Sequence, residues 1–227
     1  MMKRENKRKC FVAVGLLALF ALWTHLVCVV DVQAIGPRGS VVGFAGVNGW
    51  VHSLTGVHMT LYTITDWLGL VPIGFALGFA ILGLTQWIKR KQIQKVDVGI
   101  LLLGGFYLAV MGAYILFEYL VINYRPVLIS GFLEASYPSS TTMLVLCVMP
   151  TAVMQFRARI KNPVGRGVIT VAIWAFVVFM VVGRLLSGVH WLSDIVGGAL
   201  LSAGLVMLYG ALCSICCPHS RESAGSM

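Results

Sequence analysis

The chain has 227 residues, of which 59% are hydrophobic and only 11% are charged, and its formal net charge at pH 7 is +9. So small a charged fraction excludes an ordinary soluble globular protein. The basic residues stand in short groups between long apolar runs, a distribution typical of membrane topology rather than of nucleic-acid binding.

Six apolar runs follow one another along the chain, each long enough to cross a bilayer as a helix. They lie near residues 11–30, 67–88, 98–120, 140–156, 168–187 and 194–214. In lipid a backbone must satisfy its own hydrogen bonds, so such runs form helices. The first run follows the basic stretch "MMKRENKRK" but lacks a small-residue cleavage site, and we interpret it as a retained anchor. We predict an all-α fold, a bundle of six transmembrane helices.

The loops between the runs differ in charge. Five Lys and Arg residues precede the first run, four follow the second, four follow the fourth and one lies in the C-terminal tail. With six spans all of these lie on one side, which the positive-inside rule assigns to the cytoplasm. We therefore expect both termini in the cytoplasm, with a basic N-terminal segment at 1–10 and a tail at 215–227.

The longest segment between the runs, residues 31–66, lies on the opposite, outer side of this topology. It is rich in Gly and mildly apolar, with Trp50 in its middle and Trp67 at its end. Tryptophan favours the level of the lipid headgroups. We expect one or two short interfacial helices here.

The cysteines permit two interpretations. The stretch "CSICCPH" would offer a metal ion Cys213, Cys216, Cys217 and His219. No second cluster of ligands supports such a site, so we favour reduced thiols at the cytoplasmic end of a helix.

Three polar clusters fall at the outer ends of the helices, where a bundle can bring them together. The first is "YRP", with Arg125 beyond the third run. The second is "SYPSSTT", which opens the fourth. The third is "GRLLSGVHWLSD", with Arg184 ending the fifth run and His190 and Asp194 opening the sixth.

Each cluster suits phosphate chemistry. Arg125 and Arg184 can each offer a phosphoryl group two parallel donors. Hydroxyls and free N–H groups at a helix start form an anion cradle. His190 and Asp194 are four residues apart, so the carboxylate can orient the imidazole and leave its other nitrogen free to attack phosphorus.

As an ordered set, these motifs resemble the type 2 phosphatidic acid phosphatase (PAP2) superfamily, whose pattern is KxxxxxxRP, then PSGH, then SRxxxxxxHxxxD. The resemblance covers about residues 60–215 of a single membrane-embedded domain spanning 1–227. It implies six spans, a site at the extracytoplasmic face, no metal and no cofactor. By position, it implies that His190 is the nucleophile that forms a phosphohistidine and that Asp194 orients it. The phosphate-binding positions it implies are Arg125, Ser139 and Arg184, to which the anion cradle at the helix start adds Ser140 and Thr141.

Two departures from the family pattern bear on activity. Glu118, seven residues before Arg125, replaces the lysine of the first motif, and Thr141 replaces the histidine that in the family protonates the leaving oxygen. Losing a general acid costs roughly 100- to 10,000-fold. A phosphate leaving from a diphosphate, with a pKa of about 6, needs little help. We therefore expect a preference for lipid diphosphates such as isoprenyl diphosphates, unless His52, His58 or Glu134 supplies the proton.

Other functions remain open at this stage. The same departures fit a catalytically impaired protein that binds lipid phosphates without turnover. A transporter is disfavoured, because the runs carry few polar residues at the membrane midplane. We expect a membrane lipid phosphate as the ligand, no nucleic-acid partner and a multi-pass location in a bacterial inner membrane with the site facing outside. Nothing in the sequence indicates an oligomeric state.

Overall fold

The structure, a computed structural model, describes residues 2–216 of the chain. Of the expectations above, those on Cys217, His219 and the tail beyond residue 216 lie outside the described part. Eight α-helices account for most of residues 2–216: α1 Met2–Val29, α2 Ala45–Thr55, α3 Met59–Leu68, α4 Leu70–Arg90, α5 Val98–Tyr119, α6 Ser140–Arg159, α7 Pro163–Leu186 and α8 Leu192–Cys216.

Six segments of these helices are long and apolar enough to cross a membrane. Five of them match predicted runs within several residues at most ends, although α1 begins well before residue 11. No β-strand occurs within residues 2–216. The predicted all-α, six-span fold is confirmed.

The second span begins earlier than the sequence predicts. Its apolar run starts near residue 67, yet the helical segment runs from Met59 to Arg90, with α3 and α4 meeting at Gly69. Pro72 lacks an N–H group and cannot bond the carbonyl of Leu68, four residues back, which accounts for the break. One or two short helices are expected in residues 31–66; α2 is such a helix, whereas α3 is the first part of the second span.

Helix α6 lies at the centre of the bundle. Its membrane-spanning window is 56% buried, against 11–28% in the other five spans. It packs on α4, α5, α7 and α8, while α1 packs along α8. Because the opening of α6 carries the hydroxyl-rich motif and α8 follows the His190 motif, this packing places both motifs in the middle of one end of the bundle, which we call the outer end after the topology predicted from the charges.

Candidate functional site

His190 lies in the short loop between α7 and α8, two residues before α8 begins. Only Asp194 lies within the helix, so the prediction that His190 and Asp194 are neighbours on one helical face is wrong. The loop turns at Gly188, whose φ is +68° and where a Cβ would stand 1.8 Å from the carbonyl oxygen of Gly56. Only glycine fits this close approach to the segment between α2 and α3.

Asp194 is fully buried and surrounded by hydrogen-bond donors. Its Oδ1 accepts from Asn123 Nδ2 at 3.0 Å. Its Oδ2 accepts from the backbone N–H of Trp191 at 3.0 Å and from the hydroxyl of Ser136 at 2.5 Å. Such a set of donors satisfies a buried carboxylate and fixes its orientation.

The two catalytic candidates are close but not in direct contact. His190 Nδ1 lies 3.9 Å from Asp194 Oδ2, too far for a hydrogen bond. Between them lies the Ser136 hydroxyl, 3.0 Å from Nδ1. Ser136 and Asn123 were not predicted as site residues. Ser136 opens the quoted stretch "SYPSSTT" but precedes the part that matches the family pattern, and Asn123 lies two residues before Arg125, outside "YRP".

Arg125 lies on the other side of the His190 ring. Its Nη1 is 3.4 Å from His190 Nε2, and its Nε forms an ion pair with Glu134 Oε2 at 3.0 Å. The backbone N–H of Arg125 also donates to the carbonyl of Glu134. Arg125 is thus held beside the imidazole nitrogen that faces away from Asp194.

Arg184, at the end of α7, is 1% exposed. Its Nη1 donates to Thr65 Oγ1 at 3.3 Å, and its Nη2 lies 3.6 Å from Asp66 Oδ1. Within the described residues 2–216, its buried Nε has no hydrogen-bond partner. A buried guanidinium N–H without an acceptor is costly unless a ligand supplies one.

Tyr62 of α3 brings the two arginines together. The guanidinium carbons of Arg125 and Arg184 lie 5.9 and 4.8 Å from the centroid of its ring. The ring face attracts both cations and keeps them near each other. Tyr62, Thr65 and Asp66 were not predicted as site residues, because the sequence places the start of the second span after them.

The electrostatic surroundings favour a neutral His190. Burial and the positive charges of Arg125 and Arg184 lower the pKa of His190 well below 6.5. A neutral imidazole has a lone pair on one ring nitrogen, and that is the form a nucleophile requires.

Only part of the hydroxyl-rich stretch, residues 139–142, lies at the cavity. The Ser139 N–H donates to the Asp194 carbonyl at 3.0 Å, and its buried hydroxyl finds no partner among residues 2–216. Ser140 lines the same cavity as Arg125 and His190. Thr141 is half-buried in the first turn of α6 and is not among the residues lining this cavity.

A cavity of about 300 Å³ opens beside these residues. Its polar wall includes Glu118 and Glu134 as well as Arg125, Ser140 and His190. Its apolar wall, from α5 and α6, includes Tyr114, Phe117 and Met143. A polar pocket that is continuous with an apolar, membrane-level wall can hold a headgroup with its chain attached.

The three alternative proton donors differ in their positions. Glu134 lines the cavity, where its carboxylate pairs with Arg125. His52 packs against the Trp191 ring at 5.4 Å and does not line the cavity, and burial lowers its pKa. His58 is exposed and also lies outside the cavity wall. Of the three, only Glu134 is within reach of a ligand there.

No group of three or more His, Cys, Asp or Glu side chains suited to a metal ion occurs in the described part of the chain. Of the possible cysteine ligands, Cys213 and Cys216 lie in the last turns of α8, at the opposite end of that helix from Asp194.

Comparison with known proteins agrees with this geometry. The profile of the PAP2 superfamily matches residues 118–212. The fold is similar to the crystal structure of a transmembrane PAP2-type phosphatidylglycerolphosphate phosphatase from Bacillus subtilis, with a TM-score of 0.54 and 19% identity over 88% of this chain and 94% of that chain. No curated protein sequence matches significantly.

The family match and the structural match support each other. The matched segment contains each predicted site residue from Arg125 to Asp194, including both arginines and His190. The structural match covers the bundle that assembles them. The chain is a multi-pass membrane protein whose residues 118–212 are similar to the PAP2 superfamily and whose fold is that of a transmembrane PAP2-type protein.

Proposed function

We propose that the protein is a phosphatase that removes phosphate from a membrane lipid phosphate or diphosphate, through a phosphohistidine formed on His190. The observation that carries the proposal is the pairing of His190 Nε2 with Arg125 Nη1, 3.4 Å apart, on the wall of the cavity. A phosphoryl group bound to Arg125 would lie next to the attacking nitrogen. Arg184 does not line the cavity, but it is next to Arg125 across the Tyr62 ring, and its buried Nε is a donor without a hydrogen-bond partner among residues 2–216.

The reaction has two steps. In the first, Nε2 forms a bond to phosphorus while the bond from phosphorus to the leaving oxygen breaks, and the electron pair stays on that oxygen. In the second, water attacks the phosphohistidine, releases inorganic phosphate and returns the electron pair to Nε2. The arginines stabilise the charge that spreads over the phosphoryl oxygens in both steps.

The leaving group decides which substrates react fast. Thr141 is not on the cavity wall, and in its ion pair with Arg125 the Glu134 carboxylate is an acceptor, not a donor. The alkoxide leaving from a monoester, close to water in basicity with a conjugate-acid pKa of about 16, then departs without a proton. A diphosphate releases a phosphate of pKa about 6 instead. We infer a preference for lipid diphosphates.

The position of the site supports a lipid substrate on the outer face. The cavity continues along Tyr114 and Phe117 of α5, whose neighbours Leu116 and Met111 are exposed to the membrane. The basic loops lie at the other end of the bundle, which the positive-inside rule assigns to the cytoplasmic side. We propose that the membrane is a bacterial inner membrane. Both termini then lie inside and the site opens outside.

The decisive test is phosphate release by the purified full-length protein from phosphatidic acid, phosphatidylglycerol phosphate and farnesyl diphosphate in mixed micelles. We expect release that is fastest with the diphosphate and lost in His190→Ala. Equal rates on phosphatidic acid and farnesyl diphosphate would overturn the diphosphate preference. Saturable binding of these lipids without release after long incubation would instead establish a non-catalytic lipid-phosphate-binding protein.

A further inference from the structure

A serine hydroxyl lies between the imidazole and the carboxylate of the site. Ser136 Oγ is 3.0 Å from His190 Nδ1 and 2.5 Å from Asp194 Oδ2, whereas Nδ1 and Oδ2 are 3.9 Å apart. Both short distances are those of hydrogen bonds, and the long one is not. Asp194 therefore contacts His190 through Ser136.

The hydrogen positions follow from what each atom can do. The other partners of Asp194, the Asn123 amide and the Trp191 N–H, are donors, so the carboxylate acts as an acceptor. The Ser136 hydroxyl has one hydrogen and gives it to Asp194 Oδ2. Its remaining contact, with His190 Nδ1, must then be one in which the hydroxyl oxygen accepts. This places the proton of the neutral imidazole on Nδ1 and the lone pair on Nε2.

Ser136 is itself held in place. It is 3% exposed, and its backbone N–H donates to the carbonyl of Asn123 at 2.9 Å. The Asn123 side chain donates to Asp194, so one residue fixes both the serine and the carboxylate. The relay from His190 to Asp194 therefore has little freedom to rearrange.

We propose that Ser136 is a positioning residue that transmits the orienting effect of Asp194 to His190 and fixes the tautomer in which Nε2 can attack phosphorus. The inference rests on the proposed role of His190 as nucleophile. When Nε2 bonds to phosphorus, the ring becomes positively charged and its Nδ1–H bond to Ser136 strengthens. Ser136, whose hydroxyl is engaged by His190 and Asp194, thus acts mainly in the transition state and through the imidazole.

The variant Ser136→Ala removes the relay. Across the remaining 3.9 Å the carboxylate cannot accept from Nδ1, so the ring loses its preferred tautomer and orientation. We expect kcat on farnesyl diphosphate to fall roughly 10- to 100-fold, the range of one lost orienting hydrogen bond, while KM changes less than about threefold. Ser136→Thr keeps the hydroxyl and should recover most of kcat.

The matched control is Ser202→Ala. Ser202 is also a fully buried serine, but its hydroxyl bonds the backbone of Gly198 and Met143 within the bundle core. Loss of this hydroxyl should lower thermal stability as much as Ser136→Ala does and leave kcat within about twofold, because it bonds no group of the site. Equal losses of kcat in both alanine variants would show that Ser136 is merely structural and would overturn the inference.

A readout that needs no turnover separates this inference from the proposed function. In ¹⁵N-histidine-labelled full-length protein in micelles, the His190 signals are those missing from His190→Ala, and their couplings to the ring protons identify each nitrogen. We expect a protonated Nδ1 in the wild type and a mixture of tautomers in Ser136→Ala. A wild type without phosphatase activity but with this response refutes the proposed function and keeps the relay. An unchanged tautomer in Ser136→Ala refutes the relay, even in an active enzyme.

Discussion

The two ends of the bundle both carry charged clusters, and the clusters are built differently. At the inner end, Asp97 accepts from Gln86 at 2.8 Å and pairs with Arg90 and Arg159 at 3.3 and 3.5 Å. The Asp97 and Arg90 side chains are 43% and 44% exposed. At the outer end, Arg184 and Asp194 are at most 1% exposed.

This difference in burial distinguishes ion pairs that order helix ends from charged groups at the candidate functional site. Half-exposed ion pairs contribute about 0–1 kcal/mol each and serve to order the ends of α4, α5 and α6. Burying an arginine and an aspartate costs several kcal/mol unless their partners compensate. Asp97 has polar or charged partners in Gln86, Arg90 and Arg159. The buried Nε of Arg184 has no hydrogen-bond partner among residues 2–216. This difference supports the proposal that the outer cluster binds the phosphate.

The largest expected effect is that of removing the nucleophile. His190→Ala should lower kcat by about 10⁴-fold or more on any lipid phosphate, because no other group can form the covalent intermediate. The measurement is inorganic phosphate release under saturating substrate, joined to an alkaline detergent quench after incubation with radiolabelled substrate, because phosphohistidine survives alkali and hydrolyses in acid.

Its control is His58→Ala. His58 is an exposed histidine on the same face that does not line the cavity, and its alanine variant should keep the wild-type rate. A labelled phosphoenzyme that persists in His190→Ala would assign the nucleophile to another residue.

The second effect concerns the leaving group. Thr141→His restores an imidazole at the position where the family has its general acid. A positioned acid contributes 100- to 10,000-fold, so we expect the rate on phosphatidic acid relative to farnesyl diphosphate to rise about 100-fold. Competition between the two lipids in one micelle measures this ratio directly. Since Thr141 does not line the cavity in this structure, Thr141→Ala serves as control and should leave the ratio unchanged. A ratio unaltered by histidine would mean that position 141 does not reach the leaving oxygen.

The third effect compares the loss of an arginine from the outer cluster with the loss of one from the inner cluster. Arg184→Ala removes a buried donor set and should lower kcat/KM by roughly 10- to 100-fold. Its partner Asp66 is 58% exposed, so the variant strands no buried carboxylate and should remain folded. Arg159→Ala breaks a partly exposed pair at the inner end and should leave kcat/KM within about twofold. If the two variants lose the same activity, the outer arginine binds no phosphate.

The fold was largely predictable from the sequence. Apolar runs of membrane length permit few structures other than helices, so six spans could be counted directly. The second span was counted, but its first part, α3, was not recognised, because α3 contains Thr63, Thr65 and Asp66, which lower its hydrophobicity. Two of them, Thr65 and Asp66, contact Arg184, a tertiary role that no local pattern reveals.

The motif residues of the candidate site could be predicted from the sequence, whereas the hydrogen bonds that connect them could not. Arg125, Arg184, His190 and Asp194 follow from type, order and spacing. Ser136 does not, because its importance depends on a loop that places its hydroxyl within 3.0 Å of His190. Side chains that act through another residue rarely stand at a fixed distance in sequence from it, so their roles emerge only from the coordinates.

The fourth effect is a shift in the pH profile. The pKa of His190, lowered by burial and then by Arg125 and Arg184, lies well below 6.5. Because a proton on Nε2 blocks attack, activity should persist as pH falls through 6.5 and disappear only at lower pH. Arg184→Ala removes one of the depressing charges, so its acid limb should lie at higher pH than that of the wild type. Comparison on one substrate cancels the titration of the phosphate itself. An acid limb at the same pH in both proteins would contradict this charge coupling.

The smallest effect concerns the ion pair between Arg125 and Glu134. The carboxylate, 41% exposed, forms an ion pair with the arginine and competes with phosphate for its positive charge. A partly exposed pair is worth at most about 1 kcal/mol, so Glu134→Gln should lower KM for a lipid phosphate by no more than about fivefold. Glu118→Gln removes a charge from the same cavity wall without freeing an arginine, and should lower KM less. If Glu134→Gln raises KM instead, the carboxylate holds Arg125 in its binding position. The Arg125–Glu134 ion pair would then order its surroundings, as the ion pairs of Asp97 do at the inner end.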